Sequence, residues 1–523
     1  MPDNILLLMI EQFSAFADPR YADVPVVTPA LDRLAGRSVR YTRAYCNAPV
    51  CGPSRLSFLT GRYPCNVDAF DNGSELPCHV PTFAHMLNLA GYRTAMCGRM
   101  HIHGPDQHRG FEQRLCSEII NPLICTDADF PGPLETIRPL TPDPKESYRP
   151  EFSDSPIYRH DEYVTQQACD FLKERSADTD TDPFCLVAGY LTAHTSFKPF
   201  PELEPLYHKY LNCEDLPLPR FTRDDYQELP EHAKRQHQYL GSDERIFSDA
   251  YHRHEMAWYL ARVEYADRQI GRVLDTLESS GLADRTAVIV TSDHGENMGR
   301  HGLWGKMNFY EEAERVPLYL ALPGKQAGRA VSRPVSLVDI LPTLADLADC
   351  DIPFPIDGKS LQTLEAEDEE RVVFSEYHGY QSPGSMYMAL RDSIKYCHYI
   401  NEPGELYDLR TDPGEGYNRI DDPELAPARE ELLGEIQRRV DIQGTELRIA
   451  EYNTRRDTVA RALNESETHA ALTRRRIAQF REEYDEPWWD GGAYMAQSES
   501  ASINPLADDG KHHKIDQIKT DKR

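Results

Sequence analysis

Long hydrophobic runs are missing from this 523-residue sequence, whose longest unbroken apolar stretch runs only from Ile5 to Ile10. A bilayer-spanning helix needs about 20 apolar residues, so no membrane partner is expected. Basic side chains are also scarce, 57 against 86 acidic ones, and the formal charge of −29 repels phosphate backbones. An extended nucleic acid is thereby excluded as a partner. Ahead of Ile5 there is neither a basic stretch nor a small-residue cleavage site, and the expected location is cytoplasmic. None of the 12 cysteines forms a C-x-x-C pair. In a reducing compartment they read as buried thiols rather than a disulfide framework or a zinc ribbon, with one exception below. What is present, 40% apolar and 10% aromatic residues, suffices for a sizeable core. The length suits one large α/β domain with a smaller one appended.

Four apolar segments bounded by polar or turn residues predict buried parallel strands: Asn4 to Ile10, Arg93 to Cys97, Phe184 to Leu191 and Ala287 to Thr291. Each is followed at once by polar chemistry: Glu11-Gln12, then Arg99 and His101, then His194, then Asp293-His294. The carboxyl ends of parallel strands are where open α/β sheets bind ligands. Thr28 is expected to cap a helix opening with Pro29, and an apolar face from Leu260 to Leu277 predicts a helix ending near Gly281. The acidic run Glu365 to Glu370 predicts a solvated linker, and Val372–Phe374, Met386–Leu390 and Ile394–Ile400 a small antiparallel sheet. Helices are expected over 423–441 and 459–484, then a polar arm against which Trp488-Trp489 would pack. The expected division is 1–365 for the catalytic α/β domain, 366–425 for the antiparallel sheet, and 426–523 for a helical segment and oligomerising arm.

The most informative stretch is Cys51-Gly52-Pro53-Ser54-Arg55-Leu56-Ser57-Phe58-Leu59-Thr60-Gly61-Arg62. Pro53 suits the first turn of a helix, which puts Cys51 at the helix N-terminus, where free N–H groups favour anions, with Arg55 one turn on. That arrangement describes an oxyanion site holding a nucleophile. The string matches C-x-P-S-R-x-x-x-x-T-G, and the chain resembles the type I, formylglycine-dependent sulfatases of the alkaline phosphatase superfamily. The likeness extends to the subgroup of choline sulfatases, arylsulfatases and phosphonate monoester hydrolases. Gly104-Pro105-Asp106-Gln107, Lys306-Met307-Asn308-Phe309-Tyr310 and Glu405-Leu406-Tyr407-Asp408-Leu409 resemble further strings of that group.

The resemblance implies an alkaline-phosphatase-like sandwich, a large and mostly parallel central sheet between helices, with a smaller C-terminal domain. It implies that Cys51 becomes formylglycine through a separate formylglycine-generating machinery. One divalent metal, calcium or manganese ahead of magnesium, would be held by Glu11, Gln12, residue 51, Asp293 and His294. Glu11 stands where the family has aspartate, and Arg99 where it has lysine. Arg99, Asn72, His194 and Lys306 would bind the substrate; Arg55 would orient residue 51, His194 with Lys306 would protonate the leaving alcohol, and His101 would act as base. Tyr377 and His378 are expected near a specificity pocket. The implied activity is hydrolysis of small aryl or alkyl sulfate esters, choline sulfate included. Phosphonate monoester or phosphodiester hydrolysis is the rival, and an inactive sulfate-binding relic the reading from another class. A homodimer or homotetramer is expected.

Overall fold

Leu6, Leu8 and Ile10 enter one hydrophobic core while the alternate residues Ile5, Leu7 and Met9 enter another, so the Asn4–Ile10 strand is buried on both faces. The computed structural model describes residues 3–118, 156–178, 182–194, 200–240, 244–324, 328–366, 371–379, 382 and 384–465. Asn4–Ile10 lies inside an eight-stranded sheet ordered Arg329–Val331, Val39–Tyr41, Leu318–Ala321, Thr286–Ser292, Asn4–Ile10, Phe184–Tyr190, Arg93–Gly98, Gln113–Arg114. Leu318–Ala321 runs antiparallel to both its neighbours; the other pairings are parallel. Helices Pro156–Ala177 and Asp249–Ser279 cover one face, and Cys51–Thr60, Phe83–Leu89 and Ile340–Ala348 the other. This is the expected sandwich.

The C-terminal sheet is an antiparallel meander of Val372–Tyr377, Met386–Arg391, Ile394–Tyr399 and Glu405–Asp408. Helix Ala426–Arg439 lays Leu432 and Ile436 into the same cluster as Phe374, Tyr387 and Leu406.

Several expectations need correcting. Thr28 makes no side-chain cap for helix Pro29–Ala35; the carboxylate of Asp267, far off in sequence, accepts Ala30 N–H at 3.0 Å and Leu31 N–H at 2.9 Å instead. Glu365 is exposed as expected but lies in the last turn of helix Leu361–Ala366 rather than in a linker, and accepts from Tyr41 Oη at 2.5 Å and from Arg329; 367–370 lie outside the described residues. The last described helix runs Ile442–Glu465, so helix is already present well before 459, and 466–484 lie outside the described residues. Trp488, Trp489 and the polar arm lie outside the described residues. No described helix is long and apolar enough to cross a membrane.

Candidate active site

Helix Cys51–Thr60 begins after Val50, whose backbone is extended at φ −159°, and ends at Gly61 in the left-handed region at φ +64°, where a side chain would be strained. Its first turn is pressed against the Asn72 loop: Gly52 N–H donates to Asn72 Oδ1 at 2.9 Å, and a Cβ on Gly52 would come within 3.0 Å of Asn72 Cα. Cys51 is 2% exposed at the helix N-terminus. The ends of the four central strands converge on it.

Glu11 and Gln12 follow the first strand, and Gln12 has φ +59°, a conformation that costs a non-glycine residue energy and clusters at functional sites. Arg99 and His101 follow the second, His101 likewise at φ +58°. His194 follows the third, Asp293 and His294 the fourth. Arg99 approaches because Gly189 has no side chain; a Cβ there would sit 1.9 Å from Arg99 O.

Around the sulfur, His294 Nε2 and Lys306 Nζ each lie 3.2 Å from Cys51 Sγ. Lys306 uses its other donors on Gln12 Oε1 at 2.8 Å and His194 Nε2 at 3.0 Å. Arg55, fully buried, donates from Nε to Asp293 Oδ2 at 2.9 Å, and Asp293 Oδ1 accepts the backbone N–H of Gln12 and His294, both at 2.9 Å. Arg99 holds Glu11 from Nε at 3.0 Å and Nη2 at 3.4 Å, and its Nη2 lies 2.8 Å from His101 Nδ1. The three sequence-predicted cations therefore surround two carboxylates, a locally positive pit in an acidic protein.

Burial raises the pKa of Glu11, but Arg99, Arg55 and Lys306 together outweigh it and bring the carboxyl to about 2. Asp293 is likewise held below its ordinary value: Arg55 and His294 overcome its burial. Burial, only partly offset by Asp293, lowers His294 to about 4, so its imidazole is neutral at physiological pH. Burial drives His101 and His194 well below the usual histidine range, assisted by Arg99 at His101 and by Lys306 at His194. Cys51 moves the other way, pushed up to about 12 by burial despite Lys306. As a thiol it is almost wholly protonated at neutral pH, the opposite of an activated cysteine nucleophile.

The ligand atoms of Cys51, Asp293 and His294 lie within 4.8 Å of one another, as do those of Glu11, Cys51 and His194. Two ionised carboxylates, an amide oxygen and a neutral imidazole are the donor set of a hard divalent cation, so the residues present fit the expected metal.

Sequence reasoning missed three supports. Glu296 accepts from Gln12 Nε2 and from Gly305 N–H, and burial raises it to about 7; it stands three residues after Asp293, just beyond the pair the sequence singles out. Glu118 accepts Met100 N–H at 2.8 Å and Ile102 N–H at 3.2 Å, fixing the segment that carries Arg99 and His101. Asp71, beside Asn72, accepts from Arg456 and from Tyr452 Oη at 3.2 Å, both on the last helix, a long-range pairing with no local signal. Tyr377 and His378 have a different setting from the one expected. Tyr377 is 2% exposed in a cluster with Val50 and Phe309, and His378 is enclosed between Glu376 at 3.0 Å and Ser385 at 2.7 Å. Tyr377 thus packs in the cluster of Val50, the residue before the Cys51 helix, while His378 faces Phe70 and Tyr387.

The sulfatase family model matches residues 3–350, two thirds of the chain, which takes in Glu11, Gln12, Cys51, Arg55, Asn72, Arg99, His101, His194, Asp293, His294 and Lys306. The chain belongs to the sulfatase family. A second model, N-sulphoglucosamine sulphohydrolase C-terminal, matches residues 299–441. Over 436 residues the sulfatase is 31% identical to a choline-sulfatase of Rhizobium meliloti, covering 80% of this chain and 83% of the relative. It is 27% identical over 495 residues to an N-acetylglucosamine-6-O-sulfatase of Bacteroides thetaiotaomicron, covering 82% and 85%. In fold it is similar to a phosphonate monoester hydrolase from Silicibacter pomeroyi, with a TM-score of 0.68 at 24% identity, covering 84% of this chain and 96% of that one. Sulfatases of this family generally use a formylglycine and a divalent metal, and the donor set here accords with that.

Proposed function

We propose that this sulfatase hydrolyses small aryl or alkyl sulfate monoesters, choline sulfate included, with residue 51 converted from cysteine to formylglycine. One observation carries the reading. Residue 51 opens a helix at the bottom of the cationic pit, in reach of His294 and Lys306, yet its unconverted thiol is held protonated. Once converted and hydrated by water, residue 51 would offer a hydroxyl oxygen for attack, and a bound divalent cation would supply Lewis-acid polarisation of the sulfuryl oxygens. Glu11, Gln12, Asp293, His294 and residue 51 would hold that cation, with calcium or manganese ahead of magnesium. Arg99 and Lys306 bind the remaining sulfuryl oxygens. Asn72 fixes Gly52, Arg55 fixes Asp293, and both thereby orient residue 51. Lys306 donates to His194, so this pair passes a proton to the departing alcohol, while His101, neutral and buried, takes the proton from residue 51. Tyr377 and His378 shape discrimination among leaving groups indirectly, Tyr377 through the cluster it shares with Val50 and His378 through Phe70, two residues before Asn72.

The proposal includes a formylglycine-generating machinery as partner, a cytoplasmic location, a homodimer or homotetramer, and the division at 1–365, 366–425 and 426–523. The 31% identity to a choline-sulfatase supports the substrate class. Gln12, shared in the resemblance with phosphonate monoester hydrolases, favours a second reading, because one cationic pit stabilises sulfuryl and phosphoryl transfer alike. Parallel assays with an aryl sulfate and an aryl phosphonate monoester test the ranking. A higher kcat/KM for the sulfate supports it, and a phosphonate preference of orders of magnitude reverses it.

A further inference from the structure

A cavity of about 450 Å³ lies between helix Glu231–Tyr239, the segment around Arg300 to Tyr310 and the loops at 402–404 and 414–418; neither Cys51 nor Lys306 lines it. Tyr310 lines this cavity and is 2% exposed, and its Oη has no hydrogen-bond partner among the described residues. Two further lining atoms, His301 Nε2 and Glu402 Oε2, are buried without a hydrogen-bond partner there. Polar atoms left open inside a protein cost stability unless something fills them, and five belong to residues of this lining, the other two being His232 Nδ1 and Glu415 Oε1, which lie at ion-pair distance from Glu405 and Lys395.

The charges decide what fits. Asp225, Glu228, Glu231 and Glu402 share the lining with Arg220 and Arg300, and Lys234 offsets Glu231 at 3.5 Å. Arg300 is spent on Glu312, from Nε at 2.7 Å and Nη2 at 2.5 Å, and the lining Glu415 is offset by Lys395 at 2.7 Å. Arg235 occupies only the Oε1 of Glu402. His232 Nδ1 lies 3.0 Å from Glu405 Oε1. Burial and Arg300 hold His301 down to about 4, so it adds no positive charge, and burial with Glu405 and Glu415 keeps the Tyr310 hydroxyl protonated. The uncompensated balance is acidic, and Phe221 and Tyr407 add aromatic wall.

We propose that this cavity is a second binding site, separate from the Cys51 pit, for a small primary alkylammonium cation. The cation supplies N–H donors to Glu402 Oε2, His301 Nε2 and Tyr310 Oη, and its chain packs on the aromatic wall. A quaternary ammonium would find the aromatics but offer nothing to the open acceptors, and an anion would meet the acids.

Calorimetry on the full chain with n-butylammonium chloride tests this, with tetramethylammonium chloride as the second arm and saturating sodium sulfate to occupy the Cys51 pit. The expected result is saturable butylammonium binding that sulfate leaves unchanged and that Tyr310→Phe and Glu402→Gln each weaken at least threefold. Absence of saturable binding, displacement by sulfate, indifference to both substitutions, or tetramethylammonium binding as tightly would overturn it. Hydrogen exchange on the unaltered protein checks the location without relying on a variant. Butylammonium should slow exchange in peptides covering 300–310 and 402–418, and no change in either contradicts the assignment.

Discussion

Arg99 grips Glu11 with two nitrogens, Nε 3.0 Å from Oε2 and Nη2 3.4 Å from Oε1, and both residues are one step longer than the aspartate and lysine expected at their positions. The longer acid is matched by a base that can reach both its oxygens, which lysine cannot do. The two substitutions should therefore be coupled. Glu11→Asp and Arg99→Lys are each expected to lower kcat/KM for an aryl sulfate by about tenfold or more. The double variant should lose clearly less than the product of the two. A double-mutant cycle with coupling near zero would show the residues acting independently.

Lys306 Nζ lies 3.0 Å from His194 Nε2, and the proposed mechanism uses this pair as the route for the leaving-group proton. Phenolate leaves without much help and an alkoxide does not. His194→Ala should then cost on the order of 100-fold in kcat with an alkyl sulfate and much less with a nitrophenyl sulfate. An equal loss on both substrates would assign His194 to binding instead. Lys306→Met should impair both, since it also removes a cation from the sulfuryl oxygens.

Glu314 is raised to about 8 by burial, against the pull of Lys395, while accepting from Ser375 Oγ at 3.0 Å and Cys46 Sγ at 3.4 Å. The fold prefers its protonated form. That contribution is fully present below the unfolded carboxyl value of about 4.5 and is lost as pH rises from there to about 8. Glu314→Gln, which keeps the shape, should flatten this loss. Urea midpoints at pH 5 and pH 8 check it: the difference between them should shrink in the variant, and an unchanged difference contradicts the assignment. Glu11 has the opposite sign, its stability present above 4.5 and lost as pH falls toward about 2.

The last helix reaches back to the active-site loop: Arg456 pairs with buried Asp71, next to Asn72, which holds Gly52. Arg456→Met leaves the Asp71 carboxyl buried without its cation and should cost about 3 kcal/mol or more of stability, read from the urea midpoint. The same variant should lower kcat by loosening the Asn72 loop. Unaltered turnover in the folded variant would separate the helix from the site.

The central strands were legible because they are short, apolar on both faces and bounded by polar residues; Asn4–Ile10 was read to the residue. Glu11, Gln12, Arg99, His101, His194, Asp293 and His294 stood out because they come soon after such strands, and Cys51 and Arg55 because of their string; Asn72 and Lys306 came only from the family resemblance. The edge strands Gln113–Arg114 and Arg329–Val331 were not, since two or three residues carry no periodicity. Helix Asp249–Ser279 starts with polar residues such as His252, Arg253, His254 and Glu255, so its apolar face shows only from Trp258 onward. The Asp267 cap and the Arg456–Asp71 pair join residues more than 200 positions apart, a distance at which local pattern is silent. The burial of Tyr377 and the enclosure of His378 between Glu376 and Ser385 were not legible, because aromatic and imidazole side chains after a strand serve packing as readily as recognition.

The account rests on residue 51 acting as formylglycine rather than as a thiol. The most direct measurement is the intact mass of the peptide containing residue 51, taken from protein produced alongside the converting machinery, together with its turnover of an aryl sulfate. The predicted result is a peptide that has lost one sulfur and two hydrogens and gained one oxygen, its fraction tracking activity across preparations, with Cys51→Ser inactive. Full activity in protein whose residue 51 is entirely unmodified cysteine would contradict it.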